Sequence, residues 1–189
     1  MCAGRLETTR GQLMERVGET RGDHATDYGA WLRDAKQLDA QGLPLLANLA
    51  QASQRHEAAR SDGFITSVHQ VAAQETEPTL ELLRQVAEDT AVLASIAHRN
   101  VSMANTHAAT SEAAPAHVPS CEEGDSSSAL ARLRVADCLE QDAQFKMELV
   151  EGLVHGTSAG QVTAASVLWG AQPWLGHEAL INIAPDVKK

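Results

Sequence analysis

The sequence predicts an all-α protein: an elongated helical bundle with coiled-coil-like long helices and a C-terminal helical hairpin. Three observations carry this expectation. Hydrophobic residues make up 43% of the 189 positions, yet aromatics only 3%, and alanine and leucine dominate the rest. Alanine and leucine, with glutamate, glutamine and arginine, lose little side-chain freedom in a helix. Few β-branched or aromatic runs exist to build a sheet, while apolar positions recur at helical spacing.

Taken in order, residues 1–22 mix glycine, threonine and both signs of charge, and read as a flexible tail. Asp23 is the first N-cap candidate, and Thr26 or Asp27 the next. From there Tyr28, Trp31, Leu32, Ala35 and Leu38 share one helical face. Gly42-Leu43-Pro44 interrupts as either a kink or a turn, and a second segment follows over 45–60. After Ser61-Asp62-Gly63 a long segment runs over 64–103, with Pro78 kinking or restarting it. Within that segment Leu82, Val86, Leu93 and Ile96 follow the three-and-four alternation of a coiled-coil seam.

Residues 104–127 have almost no large apolar group and include Pro115 and Pro119. Such a stretch buries too little surface to offset its ordering entropy, so a disordered loop is expected there. The loop separates N-terminal helices over 23–103 from C-terminal helices over 128–184 of the same bundle. The first C-terminal helix is capped by Ser126 to Ser128 and carries Leu130, Leu133, Val135, Leu139, Phe145, Leu149 and Leu153. His155-Gly156 closes it. A short helix over 159–170 then places Val162, Ala165, Leu168 and Trp169 on one side, and Gln172-Pro173-Trp174 ends it. A last helix over 176–183 and a tail over 185–189 complete the expected order.

The formal charge of −10 excludes some partners. Its 15 basic residues form no stripe, and phosphate-backbone binding needs a basic patch. Neither direct nucleic-acid binding nor attachment to an anionic membrane is expected. No apolar run follows the N-terminal arginines and none reaches membrane-spanning length, so neither a secretory signal nor a span is expected. Cys2, Cys121 and Cys138 are odd in number and far apart, which argues against a disulfide framework and for a reducing compartment.

Reaction chemistry is hard to find. The eight histidines contain no HxxxH or HExxH pair, so no metal site is expected. Cys138 and His155 are 17 residues apart on one expected helix, about 25 Å at 1.5 Å per residue, too far for a nucleophile pair. No GxSxG, Gly-rich phosphate loop or Walker motif occurs. The expectation is a non-enzyme without a cofactor. Trp169 and Trp174, flanking a proline turn, read first as a small aromatic plug and second as a partner-docking surface, since tryptophan is enriched in interface hot spots.

Two ordered stretches resemble the cyclin-dependent kinase 2-interacting protein family. The C-terminal pattern is K-x6-L-x-H-x13-W-x2-Q-P-aromatic, met by Lys146, Leu153, His155, Trp169, Gln172, Pro173 and Trp174. The N-terminal one runs through Asp27-Tyr28, Leu38-Asp39, Gly42-Leu43 and Asn48-Leu49-Ala50. About a third of the chain carries the resemblance. Pro78, the many alanines of the central helix and the 104–127 loop depart from the family. The resemblance implies a nuclear adaptor, also cytoplasmic in part. It implies partners among AAA-type ATPases of the spermatogenesis-associated kind, cyclin-dependent and origin-firing kinases, and the ATR-interacting protein. The associated processes are DNA replication, the DNA damage checkpoint and maturation of the large ribosomal subunit. Homo-oligomerisation stays open. The competing expectations are a structural coiled-coil tether unrelated to replication and an enzyme with an unrecognised site.

Overall fold

The computed structural model describes residues 28–61, 65–111, 124–154 and 157–175, with side-chain surroundings for 28–61, 74–106, 129–154 and 157–175. The expected tails, the cap candidates Asp23, Thr26 and Asp27, residues 112–123, His155-Gly156 and the expected helix at 176–183 lie outside the described residues. What is described is helical, as expected. Four helices follow one another: α1 (Tyr28–Ser61), α2 (Ile65–Ser111), α3 (Gly124–Glu151) and α4 (Ala159–Ala171).

α1 runs unbroken through Gly42-Leu43-Pro44, and α2 through Pro78. A proline removes the hydrogen bond to the carbonyl four residues earlier. Pro44 and Ala40 are both exposed, as are Pro78 and Gln74. Each released carbonyl lies on the solvent side, so water offsets the loss and the helix continues. Part of the stretch expected as a loop over 104–127 is helical. Residues 104–111 extend α2, and 124–127 begin α3. Low hydrophobicity excluded a core there, but alanine-rich sequence still extends a helix that is already nucleated.

α1 packs on α2, and α2 on α3. Arg55 and His56 near the end of α1 face Glu75 near the start of α2, at 3.5 and 3.6 Å, so the two helices run antiparallel. α4 takes α1 as its main partner, not α3. The expected C-terminal hairpin of 128–153 with 159–170 is therefore corrected: α4 crosses over to α1 because its anchoring groups, described below, sit on α1. The core joins all four helices through Trp31, Leu38, Leu46, Leu80, Leu83, Val86, Leu139, Val150, Val162 and Trp169.

The buried stripe of α2 takes in part of the seam expected. Val86 and Leu93 are buried, while Leu82 and Ile96 are only half-buried; Leu80, Leu83, Ala87, Thr90, Ala94, Ala97 and Val101 complete the stripe. The alanines among them let neighbouring helices approach between the larger side chains. Leu130, Leu133 and Leu168 are also exposed where burial was expected. Among the described residues no helix is long and apolar enough to cross a membrane.

Candidate functional site: a buried charged knot under an apolar helix

α4 is held at both ends by α1. At its start Ser158 forms a capping box: its hydroxyl accepts the Gln161 N–H at 3.2 Å, and the Gln161 side chain accepts the Ser158 N–H at 2.9 Å. The Glu57 carboxylate on α1 accepts the Ala159 N–H at 2.9 Å, placing negative charge at the positive end of the helix dipole. At its end Gln172 takes the left-handed conformation, φ 44°, and reverses the chain. That conformation points the Gln172 amide at Asp39 on α1, to which it donates a hydrogen bond.

Between these anchors lies a knot of charge. Lys146 of α3 is 1% exposed, and its Nζ is ion-paired with both Asp39 of α1 and Asp142 one turn earlier on α3. The ammonium also sits 5.3 Å from the centroid of the Trp169 ring, within cation–π range. Trp169 is itself 1% exposed and lies flat against Gly42, where a Cβ would fall 2.6 Å from its Cε2 and 2.8 Å from its Nε1. Only glycine leaves room there for the indole on the backbone of α1. Leu38 and Leu153 are buried in the same core.

Two carboxylates share one ammonium in this enclosure. Burial pushes the Asp142 carboxyl above the usual carboxylate range; Lys146 opposes this and the charge of Asp39 adds to it. Asp39 holds the additional amide donor from Gln172, so it is the better counterion of the two. The sign follows from linkage: a carboxyl raised in the folded state contributes stability that is full below its unfolded pKa, about 3.9, and lost as pH rises through the raised value. Asp142→Asn mimics the protonated form. It is expected to match wild-type stability below about pH 3.9 and to exceed it as pH rises above that, with the difference levelling off once the raised value is passed, as measured by urea unfolding across that range. A variant less stable at every pH contradicts this assignment.

The motif residues thus divide. Lys146, Trp169, Gln172 and Gly42 converge on the knot, and Leu38 and Leu153 are buried in the core. Tyr28 packs at the edge of the core, and Asn48 is exposed. Pro173 and Trp174 are exposed in the turn after α4, where the Leu175 N–H donates to the Gln172 carbonyl at 3.1 Å. Asp27 and His155 are not described. The plug reading therefore holds for Trp169 and not for Trp174, which is 41% exposed.

α4 is apolar nearly all round. Val162, Ala165 and Trp169 face α1, whereas Val167, at 67%, and Leu168, at 48%, face outward. Leu43 lies beside Gly170 across the α1–α4 seam. A helix without a polar side is ordinarily covered on both sides. The outer face of α4 with Leu43 and Trp174 is therefore a surface suited to another helix.

Elsewhere the structure joins residues that sequence spacing did not connect. Cys138 is half-buried, with burial first and Asp137 and Asp142 next holding its thiol up, which fits the packing role expected of it. His98 of α2 meets Asp137 and Glu140 of α3. Local histidine spacing could not reveal that grouping, because its members come from different helices; only the Asp137/Glu140 separation of three hints at it.

Comparison with known protein families, characterised proteins and solved structures finds no match to this chain.

Proposed function

We propose that this chain is a non-catalytic helical adaptor of the cyclin-dependent kinase 2-interacting protein kind. Its long helices pair in a coiled-coil-like manner within an elongated bundle, and α4 presents the surface that partners read. The partners are an AAA-type ATPase complex of the spermatogenesis-associated kind and, with it, replication and checkpoint kinases and the ATR-interacting protein. Its place of work is the nucleus.

One observation carries this reading. The two stretches that resemble the family are separated by residues 51–145, yet Asp39 and Gly42 interlock with Lys146, Trp169 and Gln172. A chance likeness gives no reason for the two patterns to meet in one buried knot. A shared way of fixing a short apolar helix does. The exposed Val167, Leu168 and Trp174 then supply an apolar face of the sort that docks helix against helix.

Trp174 separates this reading from a structural tether. Under the adaptor reading, Trp174→Ala is expected to change folding stability by no more than about 1 kcal/mol, since the ring is largely outside the core. Binding of a captured partner is expected to weaken by about 2 kcal/mol or more, the scale of an interface hot spot. Unchanged binding by the folded variant would favour the tether.

A further inference from the structure

We propose that His98, Asp137 and Glu140 form a divalent metal site of the zinc type that ties α2 to α3. The His98 Nε2 lies 3.1 Å from Glu140 Oε2 and 3.7 Å from Asp137 Oδ1. The three ligand atoms all fall within 4.8 Å of one another. Ligands at 2.0–2.2 Å in a tetrahedron around zinc stand about 3.3–3.5 Å apart. The two distances from Nε2 bracket that edge, so small side-chain adjustments suffice to close the site.

A second observation concerns the ring nitrogen itself. Nε2 is screened from solvent and has no hydrogen-bond partner among the described residues, although both carboxylate oxygens are near it. Its contacts with the two carboxylates are electrostatic only, and a cation held among the three groups would give the ring lone pair a partner. Asp137 and Glu140 are three apart on α3 and project together, while His98 reaches them from α2.

The surroundings favour a cation. His98 and Glu140 border a cavity of about 330 Å³ that Glu148 and Glu151 also line, and no Lys or Arg does. The whole chain carries a formal charge of −10, which raises the local concentration of cations. Ligation uses the lone pair of the neutral imidazole, so the remaining ring proton sits on Nδ1 and any proton on Nε2 leaves to solvent.

The test is titration of the full chain, first stripped with a chelator, with Zn²⁺ by calorimetry and with Co²⁺ by visible absorption. One equivalent is expected to bind, with a cobalt spectrum of nitrogen and oxygen ligands. His98→Ala is expected to weaken binding at least about tenfold, and the isosteric Glu140→Gln severalfold, both with wild-type helical circular dichroism. His56→Ala, beside Glu75 on the other helix pair, leaves binding unchanged. Because Glu140 is exposed, its variant keeps the test valid even if the histidine variant folds poorly. The proposal is overturned if Zn²⁺ gives no saturable binding, if His98→Ala binds as tightly as wild type, or if cobalt shows thiolate absorption.

Discussion

Lys146→Met is expected to destabilise the protein by about 3–5 kcal/mol, the cost of leaving buried charge without its partner. Lys146 alone faces both Asp39 and Asp142, and it also covers the ring of Trp169. Methionine fills a similar volume, so the loss isolates charge from packing. Two enclosed carboxylates would then face each other, with only the Gln172 amide turned toward one of them. Domains of this size are held by about 5–15 kcal/mol in all, so the effect approaches the whole margin. The same logic sets a companion expectation. Asp39→Leu and Asp142→Leu added to Lys146→Met restore most of the stability, because replacing an entire buried ionic group by apolar residues is often neutral or better. Urea unfolding of both variants checks the pair; a single variant as stable as wild type contradicts it.

The second large effect concerns the seat of Trp169. Trp169→Ala is expected to cost about 3–5 kcal/mol, from lost transfer energy and the cavity left behind. Gly42→Ala is expected to be destabilising by about 1–3 kcal/mol through overpacking, although alanine is the better helix former by about 1 kcal/mol. The cited clash distances decide which term wins, since Trp169 is 1% exposed and has nowhere to retreat. In the Trp169→Ala background the clash is gone, and Gly42→Ala is expected to become stabilising. That change of sign in a double-mutant cycle is the signature of a direct contact. Additive effects would mean that the indole does not rest on α1 at Gly42.

The fold class was legible because helix propensity is a local property summed over many residues. Ala159 to Gly170 was placed almost to the residue, and the structure shows what fixes its start: Ser158 and Gln161, three apart, form a capping box. The packing was less legible. Charged residues in a sequence are read as surface, because Asp and Lys are rarely buried unless paired. Asp142 and Lys146 show an i,i+4 spacing, but their third member, Asp39, is on another helix. Nothing local says that the group is enclosed. The same limit applies to α2, where Ala87, Ala94 and Ala97 are buried beside Leu83, Val86 and Leu93, and small side chains carry little signal of burial. Leu168 was misplaced because α4 is apolar on both sides, so no moment tells which side is buried. Of the alternatives at Pro44 and Pro78, the turn and the restart fall away, because a proline on the solvent face does not stop a helix. Lys146, Trp169, Gln172 and Gly42 entered through the family resemblance, and the structure supplies a reason for their types: an ammonium, a flat ring, an amide donor and a missing side chain that fit one another.

On the proposed reading, the knot fixes α4 so that other proteins can read its outer face. Native capture from nuclear extract, with the full chain as bait and the bound proteins identified, is expected to recover an AAA-type ATPase of the spermatogenesis-associated kind, accompanied by replication or checkpoint kinases, and Trp174→Ala is expected to deplete them. Recovery of neither class by a correctly folded bait would contradict the adaptor reading.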